Sequence, residues 1–207
     1  AKMVSRIALE QAGWCAGVGC IDPSLAISVA IQNSARLQQP LWLLYLDLST
    51  FFPKIDRGIV DTQAFLKGLP REVIELTTLI FGSADSKDDA IKCRYESAAG
   101  LGDAFPNWMG CLMGCVLSPD RAKLLLNSVL AAIGLVARGV TLFGHSYDER
   151  ERTLAHICSI SFADDWCGSF QSESEVRRAW EMWATWEALS GSGIGVKGMS
   201  KTVITAV

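Results

Sequence analysis

The chain has 207 residues, of which half are hydrophobic and a fifth are charged, with a mean hydropathy of +0.25. This composition is too apolar for a disordered chain and is sufficient for one domain with a large buried core. No apolar run, including the one at residues 129–137, approaches the roughly 20 residues that cross a bilayer, so no membrane-spanning segment is predicted. The net charge of −3 argues against a strongly basic nucleic-acid binder.

The cysteines indicate a reducing compartment. Seven cysteines are too few, and odd in number, for a disulfide scaffold, and no pair has the two-residue gap of a zinc knuckle. The first residues also lack the basic-then-apolar pattern of a signal peptide. We therefore expect an intracellular protein with reduced, mostly buried thiols, in either the cytoplasm or the nucleus.

Capping and breaking residues divide the first half of the chain into short elements. Asp22 and Pro23 are typical of a helix start, and the helix extends to about residue 35. Aromatic and branched residues predict a strand over 41–48. Two helices follow over 56–68 and 70–82, then a polar loop over 83–89 and two short strands over 90–97 and 104–108.

The second half alternates in the same way. Ser118, Pro119 and Asp120 predict the start of a long buried helix that extends to residue 137. A charged loop is expected over 148–152, followed by strands over 156–163 and 166–170, a helix from the capping box at 172–175 to about 189, and a final strand over 202–207. The pattern as a whole predicts an α+β fold.

Asp164 and Asp165 interrupt the apolar, strand-like segment near the end of the chain. A tight hairpin turn is one explanation for the pair. However, aromatic and small apolar residues crowd it on both sides, whereas a turn favours glycine or asparagine. Adjacent carboxylates repel each other unless a cation neutralises them, and a divalent metal is the usual reason to keep them.

A further carboxylate, Asp47, ends the apolar strand predicted over 41–48. By itself it is better explained as a cap of the following turn. In combination with Asp164 and Asp165 it suggests three acids brought together at the ends of neighbouring strands. Three such carboxylates can hold two magnesium ions roughly 3.5–4 Å apart, the arrangement that serves phosphoryl transfer.

Five segments, in order along the chain, resemble the motifs of reverse transcriptases. Residues 162–165 (Phe-Ala-Asp-Asp) resemble the aromatic-Ala-Asp-Asp box, and residues 45–52 with 55–57 are similar to the first palm motif. Residues 110–119 resemble the Gly-x-x-Gln-Gly-x-x-Leu-Ser-Pro motif, and 193–196 with 200–202 resemble the later loop and Lys-Thr motif. Residues 11–14 resemble the Gln-x-Gly-Phe segment in the fingers of group II intron and non-LTR retrotransposon enzymes. The ordered set covers nearly the whole chain.

The resemblance implies a polymerase palm, which is a ferredoxin- or RRM-like antiparallel sheet backed by two helices. Those helices would be the predicted ones over 118–137 and 172–189. Residues 1–40 would form partial helical fingers, and residues 41–207 the palm, with an insert at about 56–108. No segment resembles a thumb, so we expect missing fingers and thumb segments of the same polypeptide as partners.

The resemblance also implies a two-metal site. Asp47 and Asp164 would ligate both Mg²⁺ (or Mn²⁺) ions, with the Leu48 carbonyl as a backbone ligand and Asp165 as a supporting carboxylate. The ions would activate a primer 3′-hydroxyl and neutralise the triphosphate. The implied partners are an RNA template, a DNA primer and dNTPs, with no membrane.

Four further residues receive nucleotide-binding roles from the resemblance. Phe52 would be the aromatic gate against the ribose 2′-hydroxyl, although core packing is the alternative explanation. Met113 and Gly114 would line the nucleotide and template pocket. Lys201 would lie near the leaving pyrophosphate, unless it is an ordinary surface lysine.

The chain departs from the family pattern at two positions. Met113 replaces the usual glutamine, which removes a hydrogen bond to the nucleotide or template, and Pro53 replaces the usual aspartate after the gate.

The apolar excess of the composition also suggests a bare face where missing segments dock, through which the chain self-associates.

The function implied is that of an RNA-directed DNA polymerase of the retroelement type. One alternative is the palm of an RNA-dependent RNA polymerase, against which Phe52 argues, since such enzymes usually have an acid near that position. The other is a catalytically silent palm that serves as an RNA-binding or assembly scaffold. Met113 favours the scaffold, and the three retained acids argue against it.

Overall fold

The computed structural model describes residues 11–48, 51–82, 91–107, 109–112, 115–145, 151–162, 164–190 and 203–206. Within these ranges the helices are α1 (Ile21–Leu37), α2 (Phe51–Lys54), α3 (Arg57–Leu66), α4 (Arg71–Phe81), α5 (Ser118–Val136) and α6 (Glu173–Ser190). The strands are β1 (Trp42–Asp47), β2 (Ile91–Cys93), β3 (Glu96–Ser97), β4 (Gly100–Leu101), β5 (Phe105–Asn107), β6 (Val140–His145), β7 (Glu151–Ile157), β8 (Ser159–Phe162), β9 (Asp165–Phe170) and β10 (Val203–Ala206).

Four strands form the central antiparallel sheet, in the order β10-β1-β9-β8. The apolar strand β1 is internal and pairs along its whole length with β9, from Trp42 opposite Phe170 to Asp47 opposite Asp165. β8 and β9 form a hairpin in which Phe162 pairs with Asp165. This register brings the ends of β1 and of the hairpin to the same edge of the sheet.

Helices α5 and α6 cover one face of the sheet. Leu44 and Leu46 of β1 point toward them, as do Trp166 and Phe170 of β9, and all four are buried in the main core. Trp183 of α6 meets Trp166 edge-to-face, with ring centroids 5.4 Å apart. Alternation along the strands therefore places every second apolar residue in this core.

The opposite face of the sheet is covered by α1 and by the antiparallel β6–β7 ribbon. Leu43 and Cys167 pack there against Ala30 of α1 and Leu142 of β6 in a second, smaller core. Both faces of the sheet are therefore buried at β1, and this explains why β1 is apolar at successive positions.

The predicted α+β fold, an antiparallel sheet backed by helices at 118–136 and 173–190, is confirmed. The helices predicted over 22–35, 56–68 and 70–82 are also present, with Asp56 as the N-cap that accepts the Ile59 amide proton. The two short strands predicted over 90–97 and 104–108 are replaced by four, because Gly100 and Leu101, predicted to lie in the connection, form β4. They pair as two short ladders, β2 with β5 and β3 with β4. The polar loop at 83–89 and the glycine-rich loop at 193–196 lie outside the described residues.

The β6–β7 ribbon corrects the prediction between α5 and the acidic hairpin. β6 was not expected, and β7 begins at Glu151, so residues 151–152 belong to a strand and not to a charged loop. The strand predicted over 156–163 is divided at Cys158 between the ribbon and the central sheet. A two-stranded ribbon can carry charged residues because it lies outside the sandwiched sheet.

Two other structural facts bear on the class of protein. Within the described ranges, no helix is long and apolar enough to cross a membrane. All seven cysteines are free thiols.

Candidate active site at the end of the central strands

Asp47 and Asp165 are direct cross-strand partners at the end of the β1–β9 pairing. Directly opposed residues of an antiparallel pair lie on the same face of the sheet, with Cα atoms about 4.5–5.5 Å apart. Asp165 is exposed and Asp47 is half-buried. The sequence therefore folds so that two of the three predicted acids stand next to each other.

Asp164 belongs to the hairpin turn beside this pair. Its carbonyl oxygen accepts a hydrogen bond from the Leu48 amide at 3.2 Å, which continues the β1–β9 ladder by one step. Leu48 itself is fully buried in the main core. The backbone thus brings Asp47, Leu48, Asp164 and Asp165 to one place, as the predicted motifs require.

A groove of about 340 Å³ opens on the face that carries Asp47 and Asp165. Its floor is formed by those two acids together with Tyr45 and Cys167, which are also cross-strand partners. Its opposite wall is the first turn of α1, with Pro23 among its residues. The paired carboxylates therefore line a cavity and are not on a flat surface.

Oxygen ligands are what Mg²⁺ prefers, and two adjacent carboxylates with nearby backbone carbonyls fit that chemistry. Among the described residues, no group of three His, Cys, Asp or Glu side chains is arranged to hold a metal ion. The convergence of the Asp164 side chain with Asp47 and Asp165 stays a prediction.

Burial raises the pKa values of two groups on the groove floor, Cys167 and Tyr45. Desolvation raises the pKa of the Cys167 thiol to about 12, although a hydrogen bond with Tyr45 opposes the rise. Desolvation likewise raises the pKa of the Tyr45 hydroxyl, and Cys167 adds to that effect. Both groups are therefore neutral beside the carboxylates at physiological pH.

Phe52 lies in α2, directly after the acidic end of β1, and is half-buried against the main core. Its carbonyl oxygen accepts the Cys111 amide proton at 2.8 Å, and the Gly110 amide binds the Ile55 carbonyl at 2.9 Å. Backbone hydrogen bonds therefore join the segment that resembles the Gly-x-x-Gln-Gly-x-x-Leu-Ser-Pro motif to the segment that contains Phe52, the predicted gate.

The close approach of these two segments requires a glycine at position 110. Gly110 has φ +80°, and a Cβ on it would lie within 2.7 Å of the Phe52 carbonyl oxygen and closer still to that of Pro53. Pro53 is therefore compatible with the turn, since its own carbonyl packs against Gly110.

Arg57 organises the same region, and no role was predicted for it. Its buried guanidinium donates to the carbonyl oxygens of Gly110 (2.7 Å), Asn107 (3.1 Å), Met109 (3.4 Å) and Phe81. Burial lowers the pKa of Arg57, but the guanidinium group still keeps its proton at physiological pH. The only sequence signal was its place directly after the N-cap Asp56, which gives no hint of burial.

The segment that resembles the fingers motif also reaches the site. The ring of Trp14 meets that of Phe52 edge-to-face, with centroids 5.5 Å apart. The sequence predicted no contact between these two residues, which are 38 positions apart.

The spacing of the tryptophans of α6, at positions 180, 183 and 186, would suit a base-stacking surface, but it favours a helix face packed on the sheet. Trp183 is buried, and Trp186 packs against it and donates to Ser128 Oγ at 2.9 Å. Trp180 is 41% exposed, so the prediction is wrong at that position. Met113, Gly114 and Lys201 lie outside the described residues.

No protein-family model matches this sequence, and a search of curated proteins finds no significant match. Solved structures of telomerase do match the fold. The telomerase of Candida tropicalis in complex with a TWJ fragment of telomeric RNA has a TM-score of 0.65 at 11% identity, covering 95% of this chain and 30% of its own. An apo form of that enzyme, truncated from the C-terminal domain, gives 0.60 at 12% identity, covering 96% and 36%.

The telomerase of Candida albicans, also in complex with a TWJ fragment of telomeric RNA, gives a TM-score of 0.57 at 12% identity over 90% of this chain and 30% of its own. This chain thus spans about a third of the length of the structures it matches. Telomerase is a reverse transcriptase, so the comparison shows a reverse-transcriptase-like fold for nearly all of the chain.

Proposed function

We propose that this chain is the palm, with part of the fingers, of an RNA-directed DNA polymerase that adds dNTPs to a primer 3′-hydroxyl. The observation that carries the proposal is the pairing of Asp47 with Asp165 on the floor of a groove, in a reverse-transcriptase-like fold. The retroelement type is a finer part of the proposal and rests on the resemblance of residues 11–14 to group II intron and non-LTR enzymes.

The proposed site holds two Mg²⁺ or Mn²⁺ ions. Asp47 and Asp164 are their proposed ligands, with Asp165 in support and the Leu48 carbonyl as the backbone ligand. What bound divalent cations supply in such a site is activation of the attacking hydroxyl and neutralisation of the triphosphate. The ring of Phe52 excludes the ribose 2′-hydroxyl by its volume.

The remaining residues have binding roles in this proposal. Met113 and Gly114 line the nucleotide and template pocket, and Lys201 lies near the pyrophosphate. The proposed partners are an RNA template, a DNA primer and dNTPs. Support for RNA comes from two of the similar telomerase structures, which contain an RNA fragment. The seven free thiols support the proposed intracellular location.

A scaffold without catalysis is the second candidate. It is favoured by one structural observation: the first turn of α1 forms a wall of the groove directly over the paired acids. On this hypothesis the groove stays closed to a nucleotide, and the fold serves only to bind RNA or assemble with other segments.

The two candidates differ in the effect of Asp164→Asn. We expect the substitution to abolish magnesium-dependent extension of a DNA primer on an RNA template, because it removes one metal ligand. Folding should be retained, because like-charge repulsion with Asp165 is relieved. Extension is measured with this chain and with any longer natural polypeptide that contains it.

Asp103→Asn is the matched control, since Asp103 is an exposed acid in the turn between β4 and β5. It should extend primers like the unsubstituted protein. If Asp164→Asn retains a rate within about tenfold, which is roughly 1.4 kcal/mol of barrier, the scaffold is the better explanation.

A further inference from the structure

The segment before α1 is fixed to the palm by long-range hydrogen bonds. The Ala12 amide donates to the Ser161 carbonyl of β8 at 2.8 Å, and Gln11 Nε2 donates to the Lys123 carbonyl of α5 at 2.9 Å. Gln11 is 4% exposed. This short segment therefore has a defined place beside the edge strand β8, where Gln11 and Ser161 form an isolated parallel β-bridge.

Trp14, in this segment, has an unfavourable backbone conformation. Its φ is +55°, in the left-handed region, which it shares with only Gln38 among the described non-glycine residues. A bulky residue persists there only when its surroundings impose the conformation, and such residues cluster at functional sites.

Lys123 supplies part of the constraint. Its Nζ donates to the Trp14 carbonyl oxygen at 3.1 Å and forms an ion pair with Asp120 at 3.4 Å, while the lysine is only 2% exposed. Burying an ammonium group is costly unless it is paired and hydrogen-bonded. The fold thus accepts a second unfavourable feature in order to hold the Trp14 backbone.

These constraints present the Trp14 ring to Phe52. The two rings are edge-to-face at 5.5 Å, a favourable geometry for aromatic pairs. Trp14 remains 43% exposed, so its ring is not a core side chain and its other side faces solvent. Because the Phe52 carbonyl is bound by the Cys111 amide, the side-chain torsions are the main freedom that Phe52 retains.

We propose that Trp14, held by Lys123, is a positioning residue that fixes the ring of Phe52 and thereby sets the preference for deoxyribonucleotides over ribonucleotides. The preference for the sugar rests on the proposed function, whereas the fixing of the ring does not. A gate excludes a hydroxyl group only if its ring cannot turn aside. The Trp14 contact restrains that motion from the solvent side, while the Phe51 ring, edge-to-face with Phe52 at 5.7 Å, restrains it from the core.

The first experiment tests ring positioning without any ligand. 4-Fluorophenylalanine is placed at position 52 of the 207-residue chain, and its ¹⁹F NMR signal is recorded. We expect Trp14→Ala and Lys123→Met to shift and broaden the signal, and Trp14→Phe to restore most of it. Trp180→Ala is the control, because Trp180 is similarly exposed but lies on α6. An unchanged signal in both Trp14→Ala and Lys123→Met would overturn the proposal.

The second experiment measures the ratio of the dissociation constants of ATP and dATP in the presence of Mn²⁺. Since an edge-to-face pair contributes about 0.5–1.5 kcal/mol, we expect Trp14→Ala to reduce the preference for dATP by about threefold to tenfold. Phe52→Ala should remove the preference altogether, and Trp180→Ala should leave it unchanged.

The outcomes separate this inference from the proposed function. If Phe52→Ala removes the preference and Trp14→Ala does not change it, the positioning role is wrong and the polymerase site stands. If the unsubstituted chain binds neither nucleotide, the proposed nucleotide site and the sugar-selecting role fail together. The ¹⁹F signal then still decides whether Trp14 fixes the ring.

Discussion

A single buried cation, Arg57, holds together the backbone around the proposed gate. With 2% exposure it satisfies four carbonyl oxygens, those of Phe81, Asn107, Met109 and Gly110. Replacing it with methionine keeps much of the volume but leaves those acceptors without a donor, at about 1–3 kcal/mol for each that stays buried. We therefore predict that Arg57→Met lowers the free energy of unfolding by about 3 kcal/mol or more, measured by urea denaturation.

Arg71→Met is the matched control for this prediction. Arg71 is exposed and pairs only with Glu75, one turn away on α4, at 2.7 Å. Such surface pairs contribute about 0.5 kcal/mol or less. Equal losses for the two substitutions would show that the carbonyl contacts of Arg57 do not stabilise the fold.

The Cys167 thiol makes stability depend on pH in the alkaline range. Its pKa is raised to about 12 by burial, so the folded chain keeps this proton after the unfolded chain has lost it. The contribution of Cys167 to stability is then constant below about pH 9 and falls as the pH rises toward 12, by up to about 1.4 kcal/mol per pH unit.

We expect Cys167→Ala to have a shallower decline in the free energy of unfolding between pH 8.5 and about 10.5 than the unsubstituted chain. The difference in slope is the test, because the small cavity left by the substitution costs the same at each pH. Cys20→Ala, which removes an exposed thiol, should keep the original slope. Parallel curves for all three proteins would contradict the prediction.

At single residues, the sequence predicted the three acids, but it did not predict the residues that hold the segment around Phe52. Asp47, Asp164 and Asp165 stand out because charged residues interrupt apolar strands, and the register does bring their backbones together. The roles of Arg57 and Trp14 depend on partners more than 20 positions away, and local patterns contain no information about such distant contacts.

At the scale of elements, the contact between α2 and the segment at 110–111 depends on one glycine. Gly110 and Gly17 have the same φ of +80°, but a Cβ at Gly110 would meet the carbonyl groups of Phe52 and Pro53, whereas one at Gly17 would meet nothing within 4 Å. Alanine substitutions at these two glycines therefore separate the cost of backbone strain from the cost of steric overlap.

We predict that Gly17→Ala costs about 1–2 kcal/mol of unfolding free energy, from the left-handed conformation alone. Gly110→Ala should cost about 1–3 kcal/mol more, because the two backbone segments must also move apart. Thermal or urea unfolding of both variants measures the difference. Similar losses would mean that the α2 turn adapts to the added methyl group.

The elements that sequence reasoning located best are those with their own boundary signals. Asp56 caps α3, and in α6 the Ser172 hydroxyl accepts the Glu175 amide proton, as a capping box predicts. The Glu175 carboxylate accepts the amide proton of Gln171, one residue before the N-cap. The β6–β7 ribbon lacks such signals, because charged residues in its sequence favour a loop. Its pairing is decided by contact with α1, which no local pattern reports.

At the scale of the whole molecule, charge limits how strongly this chain holds nucleic acid. It contains 19 Lys and Arg against 22 Asp and Glu. Three of the basic residues, Arg57, Arg121 and Lys123, are buried and bound to protein groups, Arg121 to Asp61 at 2.8 Å. These three are not available to phosphates, and affinity for a duplex comes mainly from neutralised phosphates.

We therefore predict that the 207-residue chain binds an RNA–DNA hybrid duplex weakly, with a dissociation constant above about 1 µM at roughly 0.15 M salt. Few phosphate contacts also predict a shallow dependence of the logarithm of affinity on the logarithm of salt concentration. Fluorescence anisotropy of a labelled hybrid between about 50 and 200 mM salt measures both quantities. Submicromolar binding with a steep salt slope would contradict the prediction, since it would require a basic surface that the sequence composition does not provide.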